Sequence, residues 1–119
     1  MNIEEFRDYC LSKKGATESF PFDDHTLVFK VMGKMFALSG LERKPTQINL
    51  KCDPERSVSL REEYDGLIFS GYHMSGLHWN TIIIENRVPD ALIFELIDHS
   101  YDLVVAKLTK KLKAELENL

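Results

Sequence analysis

The stretch from Ser70 to Glu85, SGYHMSGLHWNTIIIE, holds His73, His78 and the chain's single tryptophan, Trp79. Two imidazoles so close in sequence raise a metal reading, with Asp98 or His99 completing the set. Structural zinc wants four nitrogen or sulfur ligands, and catalytic zinc wants three plus water. The histidine spacing matches no compact ligand motif, and neither Cys10 nor Cys52 lies nearby in sequence. Asp23, Asp24 and His25 are a second group of ligand types, which reads equally well as a solvated acidic loop. A nucleophile needs a base within reach and an orienting group behind it. Cys10 falls on the apolar stripe of a first helix and Cys52 on the apolar face of a strand, where each behaves as a small hydrophobe. His99, Ser100 and Tyr101 are consecutive, and consecutive helix positions point apart. No GxSxG, P-loop, HExxH or GxGxxG is present. We expect no catalytic residue, no metal and no cofactor. Tyr72, His73, His78 and Trp79 then read in one of two ways. They are a turn tied by imidazole hydrogen bonds beside an indole that covers the core, or a ligand groove with aromatic and polar walls.

The cations are the other chemistry. Lys34 falls at the tip of a first predicted hairpin, Arg43 and Lys44 at a second turn, and Lys51 on the wet face of a strand. Projecting turns that carry cations are what a reader of nucleic-acid phosphates needs. Glu42 stands beside Arg43, however, and the formal net charge is −4. That balance argues against a strongly basic, sequence-blind nucleic-acid binder. Any DNA contact is expected to be weak and electrostatic.

The elements that must position these residues follow from periodicity. Ile3, Phe6 and Cys10 recur at helical spacing from about Asn2 to about Lys14, with Gly15 as the stop. GATESFPFDDHT reads as a loop. TLVFKVMGKMFALSG reads as a hairpin turning at Gly33-Lys34. TQINLKC alternates strictly, so one face is buried and one is wet. Asp53 caps a short helix that Pro54 opens, ending near Tyr64. Leu67–Tyr72 and Asn80–Glu85 are strands, the second marked by consecutive β-branched isoleucines. Pro89 opens a long helical stretch with a break expected at His99-Ser100 and an apolar stripe through Val105, Leu108, Leu112, Leu116 and Leu119 beyond it. The order α-β-β-β-α-β-β-α predicts an α+β fold: a two-layer α/β sandwich whose antiparallel five-stranded sheet carries helices on one face. Phe29, Phe36, Ile48, Leu50, Ile82 and Ile84 form the expected core, with Phe6 and Leu96 added by helices.

The chain of 119 residues, 44% hydrophobic and 29% charged, is the size and composition of one globular domain spanning residues 1–119. The acidic start, MNIEEFRDYC, has neither the basic nor the apolar region of a signal peptide. No apolar run approaches the ~18 residues of a membrane span. The two cysteines form no CxxC spacing. These features lead us to expect a cytoplasmic protein with reduced thiols and no membrane partner.

TLVFKVMGKMFAL, INLKCDPE, GYHM…HWNTI and LIDHSYDLV, in that order over essentially the whole chain, resemble the MmcQ/YjbR family. The resemblance implies a secretion-chaperone-like or frataxin-like α+β fold and a cytosolic bacterial protein. It also implies a DNA-binding role in which two hairpin wings grip the duplex, a "double wing". The sequence departs from the family pattern at two places. Met74 is followed by Ser75, Gly76 and Leu77, where relatives commonly carry Asn and Lys. The loop Phe22-Asp23-Asp24-His25 is acidic, where relatives often have glycine or proline. The expectation is a small non-enzymatic domain that binds DNA through Lys34, Arg43, Lys44 and Lys51. The alternatives are a protein-interaction module using the open sheet face, or a small-ligand site near Trp79.

Overall fold

A computed structural model describes residues 1–71 and 75–119. Helix α1 (Ile3–Leu11) starts at a capping box: the Asn2 side chain accepts from the Glu5 N–H, and the Glu5 carboxylate accepts from the Asn2 N–H. Strands β1 (Ala16–Ser19), β2 (Thr26–Val31), β3 (Lys34–Gly40) and β4 (Gln47–Lys51) follow. Helix α2 (Pro54–Glu63), strands β5 (Ile68–Ser70) and β6 (Trp79–Ile83), and helices α3 (Asp90–Ala106) and α4 (Lys110–Glu117) complete the described chain. The strands form one sheet of order β1-β2-β3-β4-β6-β5. Every pair is antiparallel.

The sheet has six strands rather than the expected five. The addition is β1, inside the stretch read as a loop. ATES carries little strand propensity, but its position along β2 pairs Ala16 with Val31 and Ser19 with Val28. Edge strands pack on one side only, so their sequences announce themselves weakly.

Two further expectations are corrected. The β2–β3 turn centres on Met32-Gly33, both with positive φ (48° and 79°), which is the geometry of a type I′ hairpin. Lys34 therefore opens β3, paired with Val31, instead of occupying the tip. Helix α3 runs unbroken through His99 and Ser100 and stops at Lys107, where Thr109 caps α4 by accepting from the Leu112 N–H. Ser100 does not loosen the helix because its hydroxyl bonds across to the sheet. It donates to the Phe36 carbonyl at 2.5 Å and accepts from the Lys51 N–H at 2.9 Å.

One face of the sheet is covered by the helices. Phe29, Phe36, Ile48, Leu50, Ile82 and Ile84 are buried there, as expected, together with Phe6 from α1 and Leu96 from α3. Phe6 meets Phe29 edge-on at 5.6 Å, the favoured aromatic geometry. A bulge at Phe29/Lys30 brings both Phe36 and Ala37 into the core. On the opposite face Asn49 and Thr81 hydrogen-bond across β4 and β6 at 2.7 Å.

Candidate functional site

Three elements end together on one side of the molecule, and α3 ends beside them. β3 begins at Lys34, β4 finishes at Lys51, and β6 begins at Trp79, paired with Lys51. Between them and the C-terminal end of α3 lies a pocket of about 380 Å³. Lys34, Lys51 and Lys107 supply its cations; Met35, Trp79 and Leu108 supply apolar wall. Among the described residues no carboxylate forms an ion pair with any of these lysines. Burial, reinforced by the Lys107 ammonium nearby, holds Lys51 below the ordinary lysine range. Positive charge continues into α4, whose first turn holds Lys110 and Lys111 and no acid. A helix N-terminus favours acids, so lysines there cost stability, about 0.3–1 kcal/mol each, and strengthen the local positive field. Lys111 and Lys113 have Glu115 and Glu117 one turn on, which moderates their share.

The structure therefore divides the four cations picked out in the sequence. Lys34 and Lys51 share the pocket. Arg43 and Lys44 lie in the β3–β4 turn, at the other end of β3. A seven-residue strand separates the two groups by roughly 20 Å. Arg43 and Lys44 also stand on acidic ground. The Leu41 N–H bonds the His25 carbonyl at 2.7 Å, which brings the Asp23-Asp24 loop beside this turn. His25 is held above its ordinary value, first by the hydrogen bond to Asp24 and further by Asp23 and Glu42. Arg43 does line a depression of about 330 Å³ on the open sheet face, with Gln47, Asn49, Phe69 and Thr81. Lys107, Lys110 and Lys111 were missed in the sequence because they read as the solvated side of a helix stripe. Of these only Lys107, at the end of α3, lines the pocket with Lys34 and Lys51; Lys110 and Lys111 follow it in the first turn of α4.

Of the aromatic and imidazole group, Tyr72 and His73 lie outside the described residues. Trp79 begins β6 and is 8% exposed. His78 belongs to the turn through its backbone: its N–H donates to the Ser75 carbonyl at 3.1 Å and its carbonyl accepts from the Cys52 N–H at 2.8 Å. The tie that holds this turn is Arg61 of α2. Its guanidinium donates to the carbonyls of Gly76 and Trp79 at 2.5 and 3.3 Å and to Asn80 Oδ1 at 2.8 Å. Asn80 in turn donates to Ser57 at 3.0 Å inside the core. His99 Nε2 accepts from the Asp53 N–H at 3.1 Å, joining α3 to the cap of α2, and burial lowers its pKa. Asp98 is engaged by Tyr9 and Lys13. Among the described residues no three His, Cys, Asp or Glu side chains converge to hold a metal ion. Cys10 and Cys52 are both free and buried, and burial raises the pKa of each thiol.

A second concavity, of about 450 Å³, lies between α1 and β1. Ile3, Phe20, Leu27 and Leu41 line it, with the Arg7–Glu18 ion pair at its side. Phe20 and Phe22 are 47% and 67% exposed. No helix among the described residues is long and apolar enough to cross a membrane.

Comparison with known proteins fits this architecture. Residues 11–103 match the YjbR family. The chain is 32% identical over 106 residues to "Uncharacterized protein YjbR" of Escherichia coli K12, covering 88% of each chain. It is 39% identical over 92 residues to "Uncharacterized protein YbdF" of Escherichia coli O157:H7, covering 77% of this chain and 75% of the relative. The crystal structure of Deinococcus radiodurans protein DR2400, described as domain DUF419, superposes with a TM-score of 0.92 at 39% identity, covering 98% of this chain and 88% of that one. A Pseudomonas syringae protein superposes with a TM-score of 0.72 at 29% identity, over 87% of this chain and 98% of that one. The chain belongs to the YjbR family.

Proposed function

We propose that this domain binds nucleic acid electrostatically, without catalysing a reaction, in the bacterial cytoplasm. The observation that carries the reading is the convergence of Lys34, Lys51 and Lys107 at one end of the sheet, extended by Lys110 and Lys111, without an ion-pair partner among the described residues. In the double-wing scheme the β2–β3 hairpin end is then the wing that grips. The β3–β4 turn, with Arg43 and Lys44 among acids, contributes little. Fluorescence anisotropy on a short duplex across a salt series tests this. Three phosphate contacts give a slope of log K against log salt of about −3. Replacing Lys51 and Lys107 with alanine should flatten the slope by about two units and weaken all sequences alike. Replacing Arg43 and Lys44 should change it little. No binding at low salt, or a loss confined to the Arg43/Lys44 variant, rejects the reading.

A second reading is a protein-interaction module of the kind the secretion-chaperone-like or frataxin-like comparison implies. The observation that favours it is the exposed apolar surface of Phe20, Phe22 and Leu41 beside the α1–β1 groove. This surface, rather than the largely polar open sheet face, is where such a contact would form.

A further inference from the structure

We infer that the pocket between Lys34, Lys51, Lys107 and Trp79 is a binding site for a phosphate monoester carried on a planar apolar body. That is the chemistry of a nucleoside monophosphate or of the phosphorylated end of a strand. The inference deepens the nucleic-acid reading, since it uses the same lysines, but recognises a terminal phosphate rather than the backbone of a duplex.

The site is concave, and its volume of about 380 Å³ falls in the usual range for small-molecule sites, about 300–1,000 Å³. Lys34, Lys51 and Lys107 line the same concavity. Lys51 sits partly desolvated beside Lys107, with no carboxylate paired to either among the described residues. An anion entering the pocket relieves this arrangement. A phosphate monoester carries a charge of about −1.5 to −2 near neutral pH and offers three acceptor oxygens. A phosphodiester within a strand carries a single charge and has only two free oxygens. Three ammonium groups around one concavity match the monoester.

The rest of the wall is apolar. Met35 and Leu108 flank the Trp79 indole, which is 8% exposed, so a base or similar ring would meet the small part of the indole that reaches the pocket together with the Met35 thioether. Trp79 is held in place beforehand. Gly71 donates its N–H to the Trp79 carbonyl at 2.9 Å. A Cβ on Gly71 would lie 3.2 Å from Trp79 Cβ, so glycine permits this close approach. From the other side Arg61 donates to the Trp79 carbonyl at 3.3 Å. A preorganised wall spares the ligand the cost of ordering it.

Because Trp79 is the only tryptophan, intrinsic fluorescence excited at the red edge of indole absorption reports this pocket alone. Adenosine monophosphate should change the emission saturably, while adenosine at equal concentration should leave it nearly unchanged. Inorganic phosphate should bind at least about tenfold more weakly than the nucleotide. Lys51→Gln and Lys107→Ala, which keep partly exposed positions polar or small, should each weaken binding by about tenfold, with unchanged circular dichroism. Arg43→Ala should have no effect. A 5′-phosphorylated dinucleotide tighter than the mononucleotide identifies a strand end as the source; the reverse order identifies a free nucleotide. No saturable change at millimolar nucleotide, an equal response to adenosine, or insensitivity to both lysine variants overturns the site. A silent Trp79 in a protein that still binds duplex in the anisotropy assay overturns this inference alone. Nucleotide binding without duplex binding overturns only the nucleic-acid reading.

Discussion

Ser100 joins α3 to two strands through one hydroxyl, donating to the Phe36 carbonyl and accepting from the Lys51 N–H. Ser100→Ala leaves both backbone groups unpaired in the core and should cost about 1–3 kcal/mol. Urea denaturation should show a lower midpoint with an unchanged slope. The imidazoles carry a second residue-scale expectation. His99 is lowered by burial and then by Arg56, so the fold prefers it neutral. Its contribution to stability is full above the unfolded value of about 6.5 and is lost as pH falls from there through the folded value. His25 is raised by its hydrogen bond to Asp24, so its contribution is present below about 6.5 and is lost as pH rises through its folded value. Proton NMR should find His25 titrating above about 6.5 and His99 below it; the reverse order would contradict the Nε2 contact with Asp53. Caps were legible in the sequence, since Asn2 and Asp53 act on neighbours three residues away. Arg61 and Ser100 were not, because their partners lie far along the chain and leave no local spacing to read.

The helices and central strands were visible as periodic patterns, and two of the three misreadings, β1 and the helix break, have related reasons. β1 depends on β2 for its existence, and a polar edge strand has no periodicity of its own to announce it. The helix break was expected at a His-Ser pair, because serine in isolation competes with helical hydrogen bonds. Here that competition is satisfied by the sheet, and the break falls seven residues after Ser100, at Lys107. The α1–β1 corner and α4 meet at Gly15, whose φ is 73° and whose added Cβ would lie 2.7 Å from Leu116 Cδ1. Gly15→Ala adds left-handed strain to that clash and should cost more than about 1 kcal/mol. Its thermal midpoint should fall, and amide exchange should accelerate first in α4. Leu50→Ala, in the middle of the core strand β4, should cost about 2–5 kcal/mol throughout the molecule. A similar exchange pattern for the two variants would mean that α4 is not a separable unit.

At the scale of the molecule, net charge conceals an asymmetry. The formal charge is −4, yet three lysines without an ion-pair partner among the described residues gather at one end of the sheet. Asp23, Asp24 and Glu42 sit by the start of β2 and the end of β3, and Lys34, Lys51 and Lys107 at the opposite end. Composition argued against a strongly basic binder and could not reveal this separation, because only the antiparallel register decides which end of the sheet each turn occupies. A field with one positive pole steers polyanions by orientation even when net charge opposes them. The protein should therefore be retained on a phosphate-bearing cation exchanger at low salt and elute as ionic strength rises. The Lys51/Lys107 double alanine variant should elute earlier than the Arg43/Lys44 variant. Equal elution of the two would deny the asymmetry any role.

The strand order also has a consequence for how the chain comes into being. β1 to β4 are consecutive neighbours, so this meander can pair as soon as it leaves the ribosome. Its cover arrives late: α3, which packs on β2, β3 and β4, begins only at Asp90. A nascent chain halted before Asp90 therefore has Phe6 of α1 against Phe29 but carries Phe36, Ile48 and Leu50 without their α3 cover, and limited proteolysis of arrested chains should find protection rising once α3 has emerged. The interval between the fourth strand and the third helix is when this protein most needs a chaperone.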